Sequence, residues 1–136
     1  MKYVLDASVA LKWVLNEPDS PAALKLRADF SQHACELLAP DIILVEIAHS
    51  LTRAERRGIV TQPAVLFGDI LSTRPDLHPH IPLLPRAIGL SSQLRIGVYD
   101  CLYLALAERE RCEVVTADGR LARVAPGIAV ELSSLP

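Results

Sequence analysis

The sequence predicts an α/β fold with a central, mostly parallel sheet flanked by helices. Three observations carry this prediction. Short apolar runs of strand length alternate with stretches of helical periodicity along all 136 residues, the pattern of parallel strands joined by crossover helices. Hydrophobic residues make up 51% of the chain, so a sizeable core is expected. Two stretches, "YVLDASVAL" and "VVTADGRLA", repeat one design: an apolar strand runs into a turn that carries an acid and a hydroxyl. In parallel α/β sheets the ligand crevice lies outside the carboxyl ends of the strands. Asp6 and Asp118 are therefore expected to face a common crevice if their strands are neighbours.

The elements follow in order. Residues 2–6 read as a buried strand. Residues 9–15 read as a helix with Ser8 as its N-cap. "NEPDSP" breaks the pattern at Pro18 and Pro21. Residues 22–33 carry Ala23, Leu24, Leu26 and Phe30 at helical spacing. "CELLAP" is a short strand, and Asp41 begins a long helix that stops at Gly58, with Arg56 and Arg57 where the helix dipole favours cations. Thr61 starts another helix, capped before Pro63 and running to about residue 73. "RPDLHPHIPLLP" holds a short strand, and residues 86–95 form a helix ending near Gly97. Residues 98–111 are strongly helical. A strand over residues 113–116, a short helix after Asp118 and a strand near residues 128–132 complete the chain. No repeat, linker or low-complexity tract divides it, so residues 1–136 are expected to form one domain.

Composition narrows the function. The formal charge is -2, without the basic surplus of a typical nucleic-acid binder. The basic residues are nevertheless mostly arginine and partly clustered, at Arg53, Arg56 and Arg57, at Arg109 and Arg111, and at Arg120 and Arg123. Aromatic residues are only 4%, which weighs against a stacking platform for bases. Cys35, Cys101 and Cys112 are scattered, with no Cys-x-x-Cys, as expected in a reducing cytoplasm rather than in a disulfide scaffold or zinc ribbon. The start lacks the pattern of a signal peptide, and no apolar run is long enough for a bilayer.

Four acids stand out. Asp6 and Asp118 end strands, where either also suits a turn or a helix cap. Glu46, in "DIILVEIAHSL", shares a helical strip with Ile42, His49, Ser50 and Arg53; it pairs with Arg53 at the surface or serves a site. Asp100 opens an otherwise apolar helix, where the dipole favours an acid. His49, His78 and His80 have no metal-ligand spacing. Brought together, the four carboxylates would repel one another and raise each other's pKa, and a dication would relieve that repulsion. All-oxygen ligation suits Mg²⁺ or Mn²⁺ rather than zinc. Ser8 and Thr116 place small hydroxyls beside two of the acids.

The ordered set "LDASVALKW", "PDIILVEIAHSL", "YDCLYLALAERE" and "VVTADGRLA" resembles the PIN domain, and more narrowly the VapC ribonuclease toxins of toxin–antitoxin pairs. The likeness spans essentially the whole chain, with the proline-rich stretch from Pro75 to Pro85 departing from it. The resemblance implies a three-layer PIN-like fold, a site at Asp6, Glu46, Asp100 and Asp118 that is both metal-binding and catalytic, and supporting hydroxyls at Ser8 and Thr116. It further implies Mg²⁺ or Mn²⁺ as cofactor, RNA as substrate, an antitoxin protein as partner, a homodimer and a cytoplasmic location. Two other readings compete. A receiver-like phosphate switch needs a late strand-end lysine, and the chain has only Lys2, Lys12 and Lys25. A non-catalytic RNA- or protein-binding module on a PIN-like fold would not need the intact acids.

Overall fold

A computed structural model describes residues 1–136. Five strands form one sheet: β1 (Lys2–Leu5), β2 (Glu36–Pro40), β3 (Asp76–His78), β4 (Glu113–Thr116) and β5 (Ala129–Glu131). Their order is β3-β2-β1-β4-β5, and every pairing is parallel. Seven α-helices surround the sheet: α1 (Ala7–Leu11), α2 (Ser20–Ser31), α3 (Ile43–Arg56), α4 (Pro63–Leu71), α5 (Leu84–Leu94), α6 (Val98–Glu110) and α7 (Gly119–Val124). Two 3₁₀ turns, Ile81–Leu83 and Leu132–Ser134, complete the structure.

The strand order fixes where a ligand can sit. The chain steps outward from β1 to β2 to β3, then returns past β1 to lay down β4 and β5. The reversal lies between β1 and β4, which are hydrogen-bonded neighbours with Val4 opposite Val114 and Leu5 opposite Val115. Adjacent strands whose connections depart in opposite directions leave a crevice at their carboxyl ends. Asp6 follows β1 directly and Thr116 ends β4, so the topology brings the two acid-and-hydroxyl turns of the sequence side by side.

The core explains why the strands read as apolar runs. Val4, Leu5, Leu37, Leu38, Ala39, Val114 and Val115 are buried because helices cover both faces of the sheet. Residues 101–107 of α6 are all buried, which accounts for a helix apolar all round rather than striped. α3 is the contrasting case: it buries Ile43, Ile47, Leu51 and Ala54 on one face and leaves the other to solvent.

Several boundaries differ from the sequence reading for local reasons. α1 starts at Ala7, not at residue 9, and Ser8 is not its N-cap because its hydroxyl is engaged elsewhere. α2 starts at Ser20 and takes Pro21 into its first turn, where a missing N–H costs nothing. Asp41 lies before α3 rather than in it; its carboxylate accepts from the His80 backbone N–H at 3.2 Å and pairs with the His80 ring at 2.7 Å. At the other end α3 stops as expected: Gly58 has φ +74 just past the last turn, a conformation glycine adopts without strain.

Candidate active site

The crevice is built from four elements. Asp6 sits at the junction of β1 and α1 and is 8% exposed. Its Oδ2 accepts two hydroxyl hydrogen bonds, from Ser8 Oγ at 2.6 Å and from Thr116 Oγ1 at 2.8 Å. Both side-chain donors fall on that one oxygen, so Oδ1 carries no side-chain hydrogen bond. Thr116 is fully buried, and its Oγ1 also accepts the Asp118 backbone N–H at 3.0 Å. Ser8 Oγ accepts the Ala117 backbone N–H at 3.0 Å. Ser8 and Thr116 therefore stitch the end of β1 to the end of β4 through the Asp6 carboxylate. This is why small hydroxyls, and not longer polar side chains, stand at those two positions.

Asp118 caps α7, accepting the Arg120 backbone N–H at 2.9 Å. The cap is real, and it leaves the carboxylate partly open to the crevice. Asp100 lies in the first turn of α6. The Arg120 guanidinium stands 4.0 Å from both Asp100 Oδ2 and Asp118 Oδ2, and its side chain is 66% exposed. Glu46 lies in the first turn of α3. It makes no ion pair with Arg53; it accepts the Tyr103 hydroxyl at 2.5 Å instead. Tyr103 is buried and comes one helical turn after Asp100 on α6. It ties α6 to α3 and orients the Glu46 carboxylate from the floor of the crevice. Sequence reading passed over Tyr103, although its i+3 spacing from Asp100 was a usable signal.

The electrostatics show that the acids feel one another. Asp6 has its pKa raised, first by burial and also by Asp118, against the lowering effect of Ser8, Thr116 and the Ala7 backbone. Glu46 is raised by burial and by Asp6 and Asp100, with the Tyr103 hydrogen bond opposing. Asp100 is raised by burial, Asp6 and Asp118, with Arg120 opposing. Burial and the charges of Glu46 and Asp6 push the Tyr103 hydroxyl far above its ordinary value, so it stays a donor to Glu46. A group of acids whose charged forms are this disfavoured is a ready receptor for a cation.

The donor set discriminates among cations. No three carboxylate, histidine or cysteine groups lie close enough together to form a closed cage around one bare ion. His49, His78 and His80 are likewise in no such group. The residues fit a hard, partly hydrated ion such as Mg²⁺, which keeps several waters and takes only one or two carboxylates directly. They do not fit structural zinc. A cavity of about 570 Å³ between the ends of α2 and α4 is lined by no acid and lies apart from this chemistry.

A parallel sheet covered by helices, with an acidic crevice at its switch point, defines a class of small α/β domains that work at the carboxyl ends of their strands. The comparison with known proteins specifies which class: the chain belongs to the PIN domain family, whose model matches residues 3–126. Among curated relatives it is 35% identical over 100 residues to Ribonuclease VapC1 of Mycobacterium tuberculosis, covering 69% of this chain and 71% of the relative. It is 28% identical over 132 residues to Ribonuclease VapC3 of Pyrobaculum aerophilum, covering 94% and 98%. Among solved structures, PAE2754 from Pyrobaculum aerophilum superposes with a TM-score of 0.75 at 19% identity, over 98% of this chain and 85% of that one. VapBC2 from Rickettsia felis, bound to a promoter DNA fragment, gives 0.67 at 18% identity over 96% and 98%. These two likenesses confirm the fold. No helix of the chain is long and apolar enough to cross a membrane.

Proposed function

We propose that residues 1–136 act as one catalytic domain, a divalent-metal-dependent endoribonuclease that is the toxin of a cytoplasmic toxin–antitoxin pair. The supporting observation is the convergence of Asp6, Glu46, Asp100 and Asp118, from four separate elements, on the β1/β4 switch point, with three of them raised in pKa. The curated relatives named Ribonuclease VapC point the same way. In this reading Asp6, Glu46 and Asp100 would hold Mg²⁺ or Mn²⁺, and Asp118 would complete the site. When bound, the ion acidifies a water and neutralises charge on a phosphodiester oxygen.

The chain's own groups do the rest. Ser8 and Thr116 lock the Asp6 carboxylate, so it presents its other oxygen in one orientation. Tyr103 does the same for Glu46. A carboxylate with raised proton affinity, Glu46 or Asp100, takes the proton from the attacking water. Arg120 stands at the rim, where a guanidinium holds a backbone phosphate with two parallel hydrogen bonds. Such contacts position RNA without reading its sequence.

An antitoxin carrying an Arg- or Lys-bearing segment would compete with the metal for the same acids. The chain would act as a homodimer, for which exposed Ile59, Val65 and Ile88 offer apolar surface. The test is cleavage of single-stranded RNA with Mg²⁺, Mn²⁺ or EDTA. Cleavage should require the metal, stop on addition of the antitoxin, and fall more than about a hundredfold in Asp100→Asn, a barrier rise of about 2.7 kcal/mol. RNA binding without metal-dependent cleavage would instead identify a non-catalytic module.

A further inference from the structure

Beside the acids lies a cavity of about 300 Å³ that the chemistry above does not use. Ile42, Val45, Glu46, His49, Ser50 and Tyr99 line it. Glu46 belongs to both the cavity and the acidic site, so the two are continuous. Tyr99 directly precedes Asp100 and is 58% exposed, the most open of the chain's Phe, Tyr and Trp rings. An exposed tyrosine facing an aliphatic wall, next to a site for phosphodiester chemistry, is suited to a base stacked on its ring.

The same helix continues the surface away from the acids. Arg53 and Arg57 follow Glu46 at i+7 and i+11, on the strip that carries His49 and Ser50, about 10 Å and 16 Å along the axis. Both are exposed, as is Arg56. None of the three makes an ion pair; the arginine pairs of the molecule use Arg27, Arg86, Arg109 and Arg120. Glu46, the acid on this strip, is taken by Tyr103. The strip therefore carries unmatched positive charge, which favours a polyanion over a second copy of the same face.

We propose that α3 and Tyr99 form a track for single-stranded RNA, in which a base next to the scissile phosphate stacks on Tyr99 in the cavity and the strand's phosphates run on to Arg53 and Arg57. This rests on the ribonuclease reading and deepens it. Low aromatic content weighs against a multi-base platform; one ring at one subsite needs only one residue. His49 and Ser50 supply the polar contacts to the base edge.

The experiment measures binding of a fluorescein-labelled single-stranded RNA of about twelve nucleotides, within the span of known single-strand sites, to the Asp100→Asn protein in Mg²⁺. Adding Tyr99→Ala should weaken binding about tenfold, as expected for one lost stack, while Tyr99→Phe should change it less than about twofold. Adding Arg53→Ala and Arg57→Ala together should reduce the slope of log K against log salt by about 1.4, two phosphates at about 0.7 each. Light scattering accompanies each variant. Unchanged affinity and salt slope, or an affinity loss in Tyr99→Ala that only follows the falling apart of a dimer, overturns the track. The two readings fail separately. If the Tyr99 and arginine effects appear but the wild type does not cleave RNA, the track stands and the nuclease falls. If the wild type cleaves and neither effect appears, the nuclease stands and the track falls.

Discussion

Asp100→Asn offers the sharpest test of the metal site, because several effects act on one residue and their sizes decide what is observed. Removing the charge relieves repulsion from Asp6 and Asp118. It also removes a favourable first-turn interaction with the α6 dipole, worth about 0.3–1 kcal/mol, and the contact with Arg120 at 4.0 Å, worth at most about 1 kcal/mol for a pair this exposed. These terms oppose one another. The unfolding entropy of 136 residues is about 0.29 kcal/mol per degree, so a net 1 kcal/mol moves Tm by about 3.5 °C. Without metal the variant should melt within about that range of the wild type. Metal acts on a larger scale. An ion at a hundredfold excess over its Kd stabilises the folded state by about 2.7 kcal/mol, which raises Tm by about 9 °C on the same entropy. The wild type should show that rise with Mn²⁺ or Mg²⁺, and Asp100→Asn should lose most of it. Glu55→Gln, an exposed acid on the far side of α3, should keep the full rise. The assay is a thermal melt followed by circular dichroism in EDTA and then in metal. An equal rise in wild type and Asp100→Asn would refute the assignment, because the ion would then bind elsewhere.

Three further outcomes are expected. Thr116→Val keeps the shape of a fully buried side chain but strips Asp6 of one hydroxyl and leaves the Asp118 N–H unpartnered; a loss of about 2–3 kcal/mol, or roughly 7–10 °C in Tm, is expected, read by the same melts. In the metal-free protein Asp6, Glu46 and Asp100 have raised pKa, so the folded state holds protons that the unfolded chain has lost. Their contribution to stability is therefore full below the unfolded values of about 3.9–4.3 and falls as pH rises through the raised folded ones. Urea melts across pH should show this decline, and saturating Mg²⁺ should flatten it; a decline untouched by metal would point to other groups. Tyr103→Phe removes the hydrogen bond that opposes the rise in Glu46 pKa, so the acidic limb of the cleavage profile should move to higher pH, with the fold retained because only the hydroxyl is lost. An unmoved limb would remove Glu46 from the proton balance of the reaction.

The sequence by itself determined what depends on local pattern. Apolar runs of strand length and helical periodicity are written residue by residue, so the alternation of strands and helices and the stop of α3 at Gly58 were all legible. Residue types were legible too: four acids, with hydroxyls two residues from Asp6 and Asp118, define a chemistry before any contact is known. Whether Asp6 and Asp118 meet depends on β1 and β4 pairing across more than a hundred residues, and no local pattern encodes strand order. The partners of each acid were decided in the same way. Glu46 had Arg53 on one side of its own helix, yet it bonds to Tyr103, 57 positions away, because the tertiary fold brings the α6 hydroxyl to its carboxylate. Ser8 reads locally as a helix cap, and the neighbouring strand turns its hydroxyl toward Asp6 and Ala117. Tyr99 and Tyr103 are alike in sequence, both tyrosines on α6. Only the packing of that helix buries one beneath Glu46 and leaves the other open beside it, since burial belongs to the neighbours a side chain acquires on folding and not to the side chain itself.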